Sequence, residues 1–167
     1  EQLKGFESGS VSLEKLTVDG GASLRQEIIR YYRNNTNGVS VKMKLVVSRC
    51  YGLEHDAQNA AQLAESYVAV FTNDFRGWRI LGTANGMLGR NDRALDAYRK
   101  ATNLGDNDSY SPMAGVALEE NRLDVVREIA PQLVKLKHSK DLPKFVKLDI
   151  IGLLSVYARR ADDREVF

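Results

Sequence analysis

The chain has little of what small secreted, fibrous or membrane-spanning proteins need. Its 167 residues include one cysteine and three prolines, and aromatic residues make up 8%. A single cysteine, Cys50, cannot form an internal disulfide, and so few prolines exclude a collagen-like or proline-rich chain. No apolar run approaches the ~20 residues of a membrane-spanning helix. The composition therefore predicts a compact cytoplasmic domain without membrane insertion, and a signal peptide already removed would leave no trace in it.

An excess of one charge sign is also missing. The chain has 24 Lys and Arg against 22 Asp and Glu, a formal net charge of +2. Proteins that bind nucleic acid or an anionic membrane usually carry a much larger basic excess. We therefore expect no nucleic-acid partner. A helical-repeat RNA-binding protein stays open as an alternative, and it would require a larger basic face.

What the chain does have is helical periodicity. Apolar residues recur every three or four positions from Val41 almost to the end, and short polar turns separate the segments, which indicates an all-α protein. The predicted helices cover 41–53, 56–71, 75–88, 91–104, 111–120, 122–137 and 143–159. Residues 1–40 are predicted to be a lead-in followed by a capping helix, which starts from a capping box of Ser23 and Gln26 and ends at the turn of residues 34–38.

Local signals mark several helix boundaries. Asp56 and Asp74 precede predicted helices and suit the N-cap position. Pro112 follows Ser111 and is expected at the first helical position, where its missing N–H costs nothing. Pro131 interrupts an otherwise helical pattern and predicts a kink or a restart there.

An internal repeat is the strongest signal in the chain. Ala60 and Ala94 are 34 residues apart, and other apolar or small positions recur at the same shift. The segment GWRILGTANGMLGRNDRALDAYRKATNLG, residues 77–105, then resembles the tetratricopeptide repeat (TPR) family at six positions in the right order and spacing. These positions are Trp78, Leu81, Gly82, Ala94, Tyr98 and Ala101.

The resemblance implies a right-handed α-solenoid of antiparallel helix pairs. The expected repeats are about 41–74, 75–108, 109–140 and 143–167, the last one incomplete, with residues 161–167 opening its second helix. Gly82 and Ala94 would allow close helix approach, while the larger signature residues fill the core. Gly115 and Gly152 are expected to take the place of Gly82 in the third and fourth repeats.

No catalytic or metal-binding arrangement is visible in the sequence. His55 and His138 are far apart and lack metal-ligand spacing, and Cys50 is expected to be a packed thiol. The glycines of residues 81–89 lie in a predicted helix rather than a phosphate-binding loop. Trp78 and Tyr98 fit core positions better than an aromatic ligand platform. We therefore expect no catalytic residue, metal or cofactor, and no enzymatic activity.

The function that the resemblance implies is a non-catalytic protein-protein interaction module, a scaffold that binds a peptide or helix of a partner in its concave groove. A secretion-type chaperone with the same fold is an alternative. The first helix of each pair lines the groove in this family, and the matching positions here are Lys42, Arg49, Arg76, Arg79 and Thr83.

Four of these five groove residues are basic. They predict an acidic or acidic-amphipathic peptide as the partner, with Arg49, Arg76 and Arg79 as bidentate anchors for carboxylates. Arg76 and Arg79 are expected to be exposed. Ordinary solvated charges on a helix face are the competing interpretation.

Overall fold

In a computed structural model that describes Leu16 and residues 21–161, the chain forms α-helices and one 3₁₀ turn, with no strand in this part. The all-helical prediction is confirmed. The helices are α1 (Gly21–Asn34), α2 (Val41–Leu53), α3 (Ala57–Val68), α4 (Phe75–Met87), α5 (Asn91–Asn103), α6 (Tyr110–Glu119), α7 (Leu123–Lys137) and α8 (Lys144–Ala161); the 3₁₀ turn, Asn107–Ser109, precedes α6.

Each helix packs against the next one along the chain, as in a solenoid. In addition α2 contacts α4, and α6 contacts α8, so the first helices are neighbours between the first two pairs and again at the end of the described part. One apolar core is built mainly from α1 to α4, and a second from α5 to α8. The two cores meet where α4 packs against α5. This is the nearest-neighbour organisation of repeat proteins.

The same turn recurs between the helices of three pairs. The helices α2, α4 and α6 are each followed, one residue after the C-cap, by a left-handed residue: His55 (φ 61°), Gly89 (φ 67°) and Asn121 (φ 54°). The next N–H then bonds to a carbonyl five residues back, as Arg90 N does to Asn85 O at 2.9 Å. This Schellman-type closure satisfies the last carbonyls of the helix and directs the chain into the second helix.

Two glycines of α4 allow close packing. A Cβ at Gly82 would lie 2.7 Å from two ring carbons of Tyr98, and a Cβ at Gly77 would lie 2.6 Å from a ring carbon of Tyr67. The close approach predicted at Gly82 is therefore confirmed, and the aromatic ring of α5 occupies the space. Ala94 of α5 faces a different glycine of α4. Its methyl group lies 3.9 Å from where a Cβ of Gly86 would be, which is ordinary van der Waals distance.

Three boundary predictions differ from the structure. The first helix begins at Gly21, so Ser23 lies inside it and the predicted capping box is wrong. Pro112 is the third residue of α6, because the 3₁₀ turn brings the helix start forward to Tyr110. Pro131 lies inside α7, which continues through it, so the predicted restart is wrong and the alternative, a kink, stays a prediction. Asp56 and Asp74 do cap α3 and α4, as predicted.

The third and fourth glycine positions do not repeat the contact made at Gly82. A Cβ added at Gly115 or at Gly152 would meet nothing within 4 Å. We predicted that Gly115 and Gly152 would pack as Gly82 does. This prediction is wrong, because no aromatic ring of the described residues lies against either glycine. The predicted lead-in and the segment 162–167 lie outside the described residues, apart from Leu16, which is buried.

The remaining sequence candidates occupy ordinary positions. Cys50 is buried, and burial raises the pKa of its thiol to about 12, which fits a packed side chain. His55 and His138 are exposed at helix ends. Within residues 21–161, no three or more His, Cys, Asp and Glu side chains form a group able to bind a metal ion. No helix in that range combines the length and apolar character needed to cross a bilayer.

Candidate protein-binding groove

The five predicted groove residues lie on two helices that contact each other. Lys42 and Arg49 are on α2, and Arg76, Arg79 and Thr83 are on α4. Lys42, Arg76 and Thr83 are exposed, whereas Arg49 and Arg79 are half-buried. The Arg79 side chain is 27% exposed, so the expectation that it projects freely into solvent is wrong. The groove is defined here as the surface that these five residues share.

The start of α4 is held by a carboxylate that also binds a groove residue. Asp74 accepts hydrogen bonds from the backbone N–H of Arg76 at 3.0 Å, from its guanidinium at 2.6 Å, and from the Tyr67 hydroxyl at 2.6 Å. Burial raises the pKa of Asp74, but the bonds from Arg76 and Tyr67 outweigh it and hold that pKa below its usual value. Burial and the bond to Asp74 raise the pKa of Tyr67 to about 12.

Arg79 is tied to the turn after α5. Its Nη1 lies 3.1 Å from Oδ1 of Asp106 and 2.5 Å from Oδ2 of Asp108. Asp106 is buried, and its other oxygen accepts a hydrogen bond from the Ser109 hydroxyl at 2.5 Å. The guanidinium of Arg79 also lies over the ring of Phe75, 5.8 Å from its centre. Arg79 therefore joins the groove to the loop between the second and third helix pairs.

Two further side chains of α4 connect the groove to the packed interior. The Thr83 hydroxyl lies 3.1 Å from the carbonyl of Arg79 and 3.2 Å from the Tyr98 hydroxyl. Trp78 is half-buried, donates its Nε1–H to the carbonyl of Thr72 at 2.7 Å, and has the Lys100 ammonium 4.2 Å above its ring. Tyr98 is buried in the second core, whereas Trp78 is only partly buried and packs at the edge of the first core.

A cavity of about 610 Å³ lies beside the groove at the turn between α3 and α4. It is lined by residues 70–76, so Arg76 belongs to both the cavity and the groove. Val70, 60% exposed, and Phe71 and Phe75 supply apolar surface, while Asp74 and Arg76 supply charge. An amphipathic ligand could meet both kinds of surface here.

Sequence reasoning placed the basic residues but missed their carboxylate partners. Asp74 was assigned only to helix capping, although it also binds Arg76. Asp106 lies in the turn after α5, and the sequence analysis assigns it no role. Its partner Arg79 is 27 residues away, so no local pattern connects them.

Comparison with solved structures identifies the fold class of the chain. No protein-family model matches the chain, and no curated protein matches it either. Among solved structures, a crystal structure of MamA is similar with a TM-score of 0.56 and 15% identity, covering 94% of this chain and 98% of that one. A second MamA structure has a TM-score of 0.55 and 18% identity, covering 87% and 84%. MamA is a TPR-like helical-repeat protein, so this chain has the all-α, TPR-like solenoid fold.

Proposed function

We propose that the protein is a non-catalytic interaction module that binds an acidic or acidic-amphipathic segment of a partner protein in the groove. The observation that carries the proposal is the charge of the two helices. The helix α2 contains Lys42, Lys44 and Arg49, and α4 contains Arg76 and Arg79, while neither helix contains an Asp or Glu. Because α2 and α4 are neighbours, five cations lie on adjacent elements of a solenoid fold that suits peptide binding.

The contacts of Arg76 and Arg79 define how a partner carboxylate would bind. Arg76 already meets Asp74 but is 52% exposed, so a second carboxylate can approach it from solvent. Arg79 is 27% exposed and already bound to Asp106 and Asp108 through Nη1, so its role in the groove is structural. Arg76 and Lys42, which are exposed, attract the partner's carboxylates. Val70, Phe71 and Phe75 in the cavity beside Arg76 suit a hydrophobic side chain of the same segment.

A direct binding measurement tests this function. The probe is a fluorescein-labelled peptide of about 14 residues, made of Glu and Leu with the leucines at helical spacing, and its control replaces every Glu by Lys. We expect the acidic peptide to bind and the lysine peptide not to bind. Affinity should fall as salt is raised, because Coulomb attraction between exposed groups is screened.

The variant Lys42→Glu with Arg76→Gln should weaken binding about tenfold or more, since rim charges set electrostatic attraction. Arg79 is left intact because it stabilises the loop at Asp106. The matched control is Arg93→Glu, a reversal at an exposed position of α5, which should bind as the unaltered protein does. Equal binding of the acidic and lysine peptides, or no effect of the double change, would show that the groove is not the site.

A further inference from the structure

The outer face of α8 repeats a sequence pattern of α4. In α4 the pattern is Phe75, Trp78, Leu81 and Gly82. Two of these four contact the second helix of the pair, since the Lys100 ammonium lies over the Trp78 ring and the Tyr98 ring lies against Gly82. In α8 Phe145, Leu148, Ile151 and Gly152 lie 70 residues later at the same four positions. Those four residues of α8 are called the α8 face below.

The two copies of this pattern have different surroundings. In α4, Leu81 is buried and Gly82 has the ring of Tyr98 from α5 against it. In the α8 face, Phe145 is 67% exposed, Leu148 is 57% exposed and Ile151 is 39% exposed. Gly152 has open space where α4 has the ring. Among the described residues, the α8 face therefore lacks the helix that its sequence pattern accommodates in α4.

Two cations stand at the ends of this face. Lys144 is at the start of α8 and Arg159 is near its end, about 22 Å apart along the axis at 1.5 Å per residue. Both are exposed. A helix that packs antiparallel, as α5 does on α4, would bring its C-terminal end to Lys144. The negative end of its dipole and any acidic residue in its last turn would be attracted there, and an acidic residue in its first turn would be attracted to Arg159.

A second copy of this chain fits the face poorly. Antiparallel pairing of two α8 helices about their centre would place Lys144 of one copy near Arg159 of the other, which is a like-charge contact. Stacking end to end would cover the α8 face with α1, whose exposed side chains include Ser23, Gln26, Glu27 and Arg30. Neither arrangement supplies an apolar helix that carries acidic ends.

We propose that the α8 face binds an amphipathic α-helix of a partner protein, as a second interaction surface separate from the groove. The partner helix carries a small residue and an aromatic residue four positions later, as Ala94 and Tyr98 do in α5, with the aromatic ring seated on Gly152. It has acidic residues near both ends, opposite Arg159 and Lys144. The partner thereby occupies the place that a second helix takes in the central pair.

A peptide that copies α5 provides the probe. It spans residues 88–106. With Tyr98 over Gly152 in an antiparallel arrangement, its Asp92 lies near Arg159 and its Asp106 lies near Lys144. Fluorescence anisotropy with the full chain should show saturable binding. The same peptide with Asp92→Lys and Asp106→Lys should bind more weakly at low salt, because its two new cations would then lie near Arg159 and Lys144.

Variants of the α8 face test the location. Gly152→Leu should keep the fold, since a side chain there meets no atom within 4 Å, and should weaken peptide binding about tenfold or more by filling the seat of the ring. Leu148→Asp should do the same by placing a charge on the apolar face. The matched control is Gln62→Leu, a leucine at an exposed position of α3, which should leave binding unchanged. The groove variant Lys42→Glu with Arg76→Gln should also bind this peptide normally, which separates the two sites.

Several outcomes would overturn the proposal. One is no binding of the α5 peptide up to about 1 mM, and another is equal binding by Gly152→Leu when circular dichroism shows that variant folded. Concentration-dependent dimerisation that Gly152→Leu abolishes would make a second copy the occupant. Flotation with phosphatidylserine vesicles that Leu148→Asp abolishes would assign the face to lipid instead.

Discussion

At the scale of single residues, the role of a glycine in this chain depends on which atoms surround it. Gly82 and Gly152 stand at matching positions of the sequence pattern. An aromatic ring lies against Gly82, whereas Gly152 faces open space. Gly89 contributes through its backbone alone, since its φ is 67° and a Cβ there would meet nothing within 4 Å. Packing therefore explains Gly82 and turn geometry explains Gly89, while Gly152 is the residue on which we propose that a partner helix docks.

Gly82→Leu tests the packing role. A Cβ would lie 2.7 Å from two ring carbons of the buried Tyr98, so the ring or the helix must move. We expect the free energy of unfolding to fall by ~1 to 3 kcal/mol, although leucine favours helix more than glycine does. Thermal and urea unfolding followed by circular dichroism measure this. Gly152→Leu is the control and should be neutral or slightly stabilising; equal losses in both variants would contradict the packing explanation.

At the scale of helices, boundaries are set by short-range backbone geometry and by caps. The helices α2, α4, α5 and α6 are each followed by a residue with positive φ, which is a glycine after α4 and α5 but His55 after α2 and Asn121 after α6. The left-handed region costs little for glycine and more for residues with a Cβ. Asp74 combines capping with an ion pair and a tyrosine hydrogen bond, so one side chain stabilises the turn between two helix pairs.

His55→Gly should raise stability. His55 is exposed and has a φ of 61°, so its Cβ adds backbone strain at a position where glycine has none. The gain is expected to be about 1 kcal/mol, partly offset by the greater freedom of glycine in the unfolded chain. Gly89→Ala, at the equivalent turn of the next pair, should lose a similar amount. Urea denaturation of both variants measures these changes in the free energy of unfolding. A loss of stability in His55→Gly would contradict the explanation that His55 is strained.

Asp74 should make stability depend on pH. Its pKa is lower in the folded protein than the ordinary value of about 3.9, so the folded state favours the ionised carboxylate. The resulting stabilisation is present above the unfolded pKa and is lost as pH falls through the lower folded pKa. Asp74→Asn should therefore be less stable than the parent at pH 7, and the difference should shrink below about pH 4. A difference that stays constant down to pH 2 would show that ionisation of Asp74 does not contribute.

At the scale of the whole molecule, stability is expected to be distributed along the stack. Interior helices have packed neighbours on both sides, whereas α1 and α8 are the end elements of the described part. Arg79 links α4 to the loop after α5 through Asp106, so it connects the regions of the two cores. In a repeat protein such nearest-neighbour contacts determine how opening spreads from the ends.

Hydrogen exchange measures this distribution. We expect amides of α4 and α5 to be the slowest to exchange and those of α1 and the outer turns of α8 to be the fastest, because local opening requires the loss of fewer contacts at an end. Asp106→Asn should speed exchange in α5 and α6 more than in α2. Uniform protection from α1 to α8 would instead indicate a single cooperative unit.

The sequence by itself determined the helical class, the positions of seven helices from Val41 onward and the TPR-like solenoid fold. These rest on periodicity and spacing, which are local properties of the chain. Gly82 was identified as a packing glycine because its signature neighbours, Leu81 and Ala94, are close in sequence. The start of α1 was misplaced, because a capping pattern such as Ser23 and Gln26 also occurs inside helices.

Only the tertiary structure decided which side chains meet. Arg79 is bound to Asp106 and Asp108, which lie 27 and 29 residues later. Gly152 follows the same sequence pattern as Gly82, but no ring packs against it. The difference arises because packing depends on which helix faces the residue. Contacts between distant residues are determined by how helices stack, and helical periodicity carries no information on which carboxylate a given arginine will find.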